Sequence, residues 1–169
     1  MLLQFKNKLR NEKVTVIEEE IIEIIPELVV DKIPGTVVSK QGHMRDELFD
    51  FEPFFIKSHD GGKFGQYSSP ISEIRREVKA WHDFAEKIPI VEKIAILRLN
   101  KFERKVFLVE KKLEAFNEKE WQKKGLYEKA VALVDKAREE FPGVGDFQLT
   151  NLGLDSDTGE IKFFDVFPQ

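Results

Sequence analysis

Helical periodicity surfaces in two main stretches of this chain, and strand-like runs lie before, between and after them. The first stretch opens at Ser69-Pro70, where a hydroxyl can cap and a proline suits the first turn. Ile71, Ile74, Val78, Trp81 and Ala85 then recur every three to four residues, with Glu73, Arg75, Arg76 and Lys79 filling much of the remaining circumference. The second begins after Asn117 and carries Leu126, Ala130, Leu133, Ala137 and Phe141, until Pro142-Gly143 stops it. Between them, IVEKIAILRL and KVFLVEKKL read as two strands joined by the polar turn NKFER. Upstream, DKIPGTVVSKQGH is strand-like with a glycine turn, FDFEPFFIK is one Phe-rich strand ending at Lys57, and HDGGKFGQYSSP is loop. VTVIEEEIIEIIPELVV fits a short helix ended by Pro26 or two short strands, and the helix is the expectation. The chain closes on a hairpin, NLGL and IKFFDVF around the turn DSDTGE. Strands first, one helix, two strands, a long helix and a hairpin make an α+β chain.

Composition narrows the function. The 169 residues fit one domain or two small lobes sharing a cleft, and 15 Phe among 41% hydrophobic residues supply a core. A net charge of −4, with both signs interspersed, speaks against nucleic acid as the main partner. No apolar run is long enough to span a bilayer, and MLLQFKNKLRNEK is too charged for a signal peptide. With no Cys there are no disulfides or thiolate metal sites, so a cytoplasmic protein is expected; a protein exported unfolded, as an effector is, fits as well. His43, His59 and His82 are scattered and read as surface residues, Trp81 and Trp121 as packing residues, and GGKFG (61–65) as a connection, since no helix follows it directly.

Three oxygen-bearing residues near the C-terminus raise a sharper question. Asp146 and Asn151 stand five residues apart in GDFQLTN, with four between them, and Asp165 follows Phe163 and Phe164 in an apolar run. Asp and Asn often do no more than cap turns. Likewise Lys57 and Glu77, taken alone, read as a surface ion pair worth under about 1 kcal/mol. Asp165 is harder to explain this way, because an acid inside an apolar strand carries a desolvation cost unless it is paired.

Taken in order, these residues resemble the protein kinase-like superfamily. Lys57 ends FFIK as that family's phosphate-binding lysine ends its V-A-I-K strand, and Glu77 in REVKAW stands where a helical glutamate pairs that lysine. GDFQLTN has the Asp-x4-Asn spacing of the catalytic loop, and FFDVF stands where D-F-G is found. V-G-D is closer to the H-G-D of aminoglycoside phosphotransferase-like enzymes than to H-R-D. The resemblance runs over roughly residues 28 to 167.

The resemblance implies a two-lobed kinase-like fold, with a strand-rich N-lobe of one main helix over 1–113 (an extension, 1–27, included) and a much reduced C-lobe over 114–169. It implies a minimal Mg-ATP-dependent phosphotransferase with a protein hydroxyl as acceptor. Asp146 would be the base, Lys57 would hold the phosphates with Glu77 fixing it, and Asn151 and Asp165 would hold magnesium. Gly35, Val38, Glu110, Lys111 and Leu113 would line the nucleotide, the 110–113 segment through its backbone. Several positions depart from the family. Only Gly35 and Gly42 stand in the glycine-loop region, Val144 and Gly145 replace H-R, and Phe55 takes the place of a small alanine beside adenine. Gly153 stands where a larger apolar residue is usual, Phe167 replaces the last glycine of D-F-G, and only Pro168 and Gln169 follow. The departures favour an alternative, a pseudokinase-like binding module that engages a protein partner with weak or no nucleotide binding. A third reading is an unrelated α+β domain in which all five residues are structural.

Overall fold

The computed structural model describes residues 1–22, 24–39, 47–59, 70–100 and 102–166. Gly42, His43, the 60–69 stretch with GGKFG and Ser69, and Phe167 to Gln169 lie outside them. The chain divides into two compact units, Met1–Arg75 with Glu92–Lys112, and Arg76–Val91 with Leu113–Gln169.

The first unit opens with a helix, α1 (Leu2–Asn11), which buries Phe5 and Leu9 completely. Four residues apart, the two share one helix face. This charged N-terminal stretch thus forms an amphipathic helix. A hairpin follows where a helix ended by Pro26 was expected: β1 (Val16–Ile22) pairs antiparallel with β2 (Ile25–Val30), and Pro26 sits inside β2 opposite Ile21. The β-branched residues suit a pleated surface, and β2 gains a parallel partner on its other side, β6 (Lys93–Leu99). That second partner lies far along the chain, so local periodicity carries no sign of it.

FDFEPFFIK also departs from expectation, forming two strands rather than one. β4 (Leu48–Phe51) and β5 (Phe54–His59) are antiparallel around Glu52-Pro53, with Phe51 opposite Phe54, and β5 continues two residues beyond Lys57. Pro53 has no amide to give a ladder, so the strand breaks there. With β3 (Thr36–Ser39) and β7 (Phe102–Lys111), the sheet has seven strands in the order β1-β2-β6-β7-β5-β4-β3. One face packs on α1, where the Phe5 ring meets Phe54 edge-on at 5.2 Å. Lys112 bonds Asp50 at 2.8 Å and also Glu52, and these hydrogen bonds, Asp50's first, hold its ammonium protonated above the usual lysine range.

Gly35, just before β3, has φ +92°, and a Cβ there would lie 2.5 Å from the carbonyl oxygen of Asp50. A left-handed backbone and a clash with main chain act together, so Gly35→Ala is expected to lose about 1–3 kcal/mol in urea denaturation. A loss below a few tenths would mean that the β3–β4 approach is slack.

In the second unit, Asn117 starts α3 (Glu118–Lys123) with a reciprocal cap. Its Oδ1 accepts from Glu120 N at 3.0 Å, and Glu120 Oε2 accepts from Asn117 N at 2.8 Å. The single helix expected after Asn117 is in fact two. Gly125 adopts φ +70°, and Leu126, expected in the apolar stripe, becomes the N-cap of α4 (Tyr127–Glu140). α2 (Pro70–Phe84), which begins in the first unit, contributes Ala80 to the core of the second, along with Trp121, Ala137, Phe147 and Phe163. The closing hairpin forms as expected from β9 (Leu152–Asp155) and β10 (Glu160–Phe163), and β8 (Glu114–Ala115) completes a sheet of order β10-β9-β8. Gly153 faces Ala115 on β8, where a Cβ would lie 2.6 Å from that of Leu113. The described residues form four α-helices, and none is long and apolar enough to cross a membrane.

Candidate functional site

The loop between α4 and β9 is held in place from several directions. Gly143, at φ +93°, turns the chain out of α4. Phe147 is wholly buried, edge-on to Phe163 at 5.1 Å and tilted on Phe141 at 6.1 Å. Its carbonyl accepts from Arg138 Nε of α4 at 2.9 Å. Gln148 closes the turn, donating from Nε2 to Gly145 O at 2.9 Å and from its backbone N to Asp146 O at 2.9 Å. Asp146, half-buried, is therefore carried on a short turn anchored by the ring of the next residue.

Asn151 ends a single 3-10 turn, Leu149–Asn151, and makes bonds in two directions. Its Nδ2 donates to Asp146 O at 2.8 Å, while its own carbonyl accepts from Phe164 N at 3.0 Å. One residue thus ties the Asp146 turn to the backbone beside Asp165. Asp165 itself stands two residues past the end of β10, half-buried, just after a bend at Phe164. The sequence expectation put it inside the strand; leaving the strand lowers its desolvation cost. Phe163 is bonded in turn to the 89–91 segment, accepting from Val91 N at 2.8 Å and donating to Pro89 O at 3.0 Å. Within the second unit, then, hydrogen bonds gather Asp146, Asn151 and the approach to Asp165.

Sequence reasoning passed over Asp155, which is 1% exposed. Its carboxylate accepts from Asp157 N and from Lys162 Nζ, both at 3.1 Å, and its carbonyl accepts from Gly159 N at 2.7 Å. An Asp opening D-x-D-x-G is the signal of such a turn, so this acid serves the hairpin.

In the first unit, Lys57 is fully buried on β5, with its Nζ 3.0 Å from Glu110 Oε2 on β7. Lys93 Nζ of β6 lies 2.6 Å from the same oxygen. Glu110 had been singled out for its backbone; its side chain and Lys93 were missed. The only hint was a charge at a strand position among apolar neighbours, and the pairing becomes visible only once three strands are in register. Glu77 is buried on the part of α2 that belongs to the second unit. Gly35 precedes β3, and Val38 within it is half exposed. Lys111 ends β7, donating from N to Glu92 O at 3.2 Å, and Leu113 follows, 4% exposed. Phe55 carries the Lys112 ammonium 5.2 Å above its ring.

Among the described residues no three His, Cys, Asp or Glu side chains are grouped to hold a metal ion. Magnesium asks for less. It keeps waters and phosphate oxygens and takes one or two protein carboxylates. For such an ion Asp165 would supply a carboxylate, and Asn151, with Nδ2 donated to a carbonyl, would supply its amide oxygen.

The chain is a mixed α+β protein with one large sheet, compatible with a kinase-like fold. The solved structures it is similar to include two of WbdD, a bifunctional kinase-methyltransferase. One matches at TM-score 0.50 and 15% identity over 90% of this chain and 40% of WbdD; the other matches at TM-score 0.50 and 13% identity over 90% and 39%. This chain therefore spans about 40% of the length of WbdD, and at such identity the likeness concerns the fold alone. No protein-family model matches the chain, and no curated protein sequence does.

Proposed function

We propose that this chain is a minimal, kinase-like, Mg-ATP-dependent phosphotransferase whose acceptor is a hydroxyl, of a protein by preference. The observation that carries the reading is Asn151, whose two bonds link the Asp146 turn to the backbone next to Asp165. The side-chain bond fixes the Asp146 turn, and the main-chain carbonyl holds the backbone that leads into Asp165, so the two segments are kept together. In this reading the Asp146 carboxylate takes the proton of the attacking hydroxyl as its oxygen adds in line to the γ-phosphorus. The bond from that phosphorus to the β,γ-bridging oxygen breaks, and ADP leaves with the bonding pair. Lys57 sets its ammonium against the α- and β-phosphates, with Glu77 fixing it. Gly35 and Val38 line the nucleotide, and the 110–113 segment offers backbone groups to the edge of the base. Magnesium, held by Asn151 and Asp165, would neutralise phosphate charge. The likeness in fold to part of a kinase-methyltransferase supports the reading without naming a substrate.

The test is stabilisation by ligand. ATP at a hundredfold its Kd is expected to add about 2.7 kcal/mol to unfolding stability. That gain should vanish on chelation of magnesium and in Asp165→Ala. Stabilisation that survives both would remove Asn151 and Asp165 from the metal role. Transfer of labelled γ-phosphate, to the protein itself or to a band of a crude extract, then separates enzyme from binder.

The second reading, a pseudokinase-like module binding a protein partner, has its own support. Gly35 is taken up in contact with the Asp50 carbonyl, and the large Phe55 stands under Lys112 where a small residue would admit a base. No label in any lane, from folded protein, would favour it.

A further inference from the structure

The strands β5, β6 and β7 have one largely apolar face, on the α1 side, and one face that carries a buried charge cluster. Phe54, Ile56, Val109 and Leu97 lie on the α1 side. On the other, Phe55 pairs with Glu110 and Lys57 lies two residues on along the same face, while a register shift between Lys93 and Ala95 turns Lys93 to that face too, opposite Glu110. Their side chains are 0%, 5% and 1% exposed. Charges withdrawn from water to this degree carry a large desolvation cost, and a carboxylate oxygen shared by two ammoniums is a specific geometry.

We propose that Glu110 is a positioning residue: it holds the Lys57 ammonium from the strand side, and Lys93 steers Glu110. This rests on the proposed role of Lys57 at the phosphates and adds to whatever Glu77 contributes. A long, flexible lysine stem places its charge only as well as its partners hold it. Here the holder stands on the neighbouring strand of a rigid sheet, and its own rotamer is fixed by a second cation at 2.6 Å. Lysine placement would then be built into the sheet.

The experiment compares wild type, Glu110→Gln and Lys93→Met in two measurements. One is the rate of Lys57 acetylation by a small acylating reagent, read by mass spectrometry without nucleotide. The other is affinity for Mg-ATP against affinity for adenosine, which lacks phosphates. Glu110→Gln is expected to speed acetylation of Lys57 and to weaken Mg-ATP about tenfold more than it weakens adenosine, the worth of a hydrogen bond to a charged group. Lys93→Met should do the same more weakly. Unchanged acetylation and affinity in a folded Glu110→Gln would overturn the proposal, as would an equal loss for ATP and adenosine. Should Glu110→Gln fail to fold, Lys93→Met decides on the same readouts. If wild type binds no nucleotide yet acetylation still rises in the variants, the hold on Lys57 stands and the phosphotransferase reading falls.

Discussion

Asp146→Asn is expected to fold as the parent does, to bind Mg-ATP, and to transfer the γ-phosphate slower by about 10²–10⁴, the worth of general acid–base help. The reason the fold should survive lies in which atoms hold the turn. Asn151 Nδ2 and the Gln148 amide both donate to the backbone carbonyl of residue 146, so neither bond needs the carboxylate. The amide that replaces it has the same shape and no basicity. A loss of this size corresponds to about 3–5 kcal/mol of transition-state stabilisation. Single-turnover transfer of labelled phosphate, beside an ATP titration, separates chemistry from binding. Full activity in the variant would end the assignment of the base.

One residue on, the expected effect is on the fold. Phe147→Ala should cost about 3–5 kcal/mol in urea, as large-to-small changes of buried aromatics do. Phe147 is wholly enclosed, edge-on to Phe163, and its carbonyl holds Arg138. Set against a total stability of about 5–15 kcal/mol, the change leaves a much weakened protein. Phe147→Leu, which keeps most of the volume, should cost much less. The two substitutions therefore separate the group proposed to act from the ring that positions it. A loss under about 1 kcal/mol for the alanine variant would mean that the loop does not depend on this ring.

What could be read from the sequence was what is settled locally. The closing hairpin was legible because Asp155 and Gly159 carry turn chemistry within five residues. The spacing of Asp146 and Asn151 was legible for the same reason, and the side chain of one does bond the backbone of the other. Features that depend on a distant partner were not. β1 and β2 looked helical because isoleucines and a proline are ambiguous until β6 arrives alongside. The break at Gly125 was missed because Leu126 keeps the helical spacing across it. Lys93 and Glu110 stand 17 residues apart in sequence, and only strand register places them together.

The seven-stranded sheet ends at β1, and an end strand offers unpaired amides and carbonyls to any extended chain that drifts past. Ile17 is 50% exposed there and Val16 36%, so the strand is also sticky. Glu18, Glu19 and Glu20 run along the same strand, all exposed, and a second copy pairing with it would bring acid against acid. These glutamates thus set charge along the strand at which the sheet ends, which disfavours pairing of that edge with a second copy.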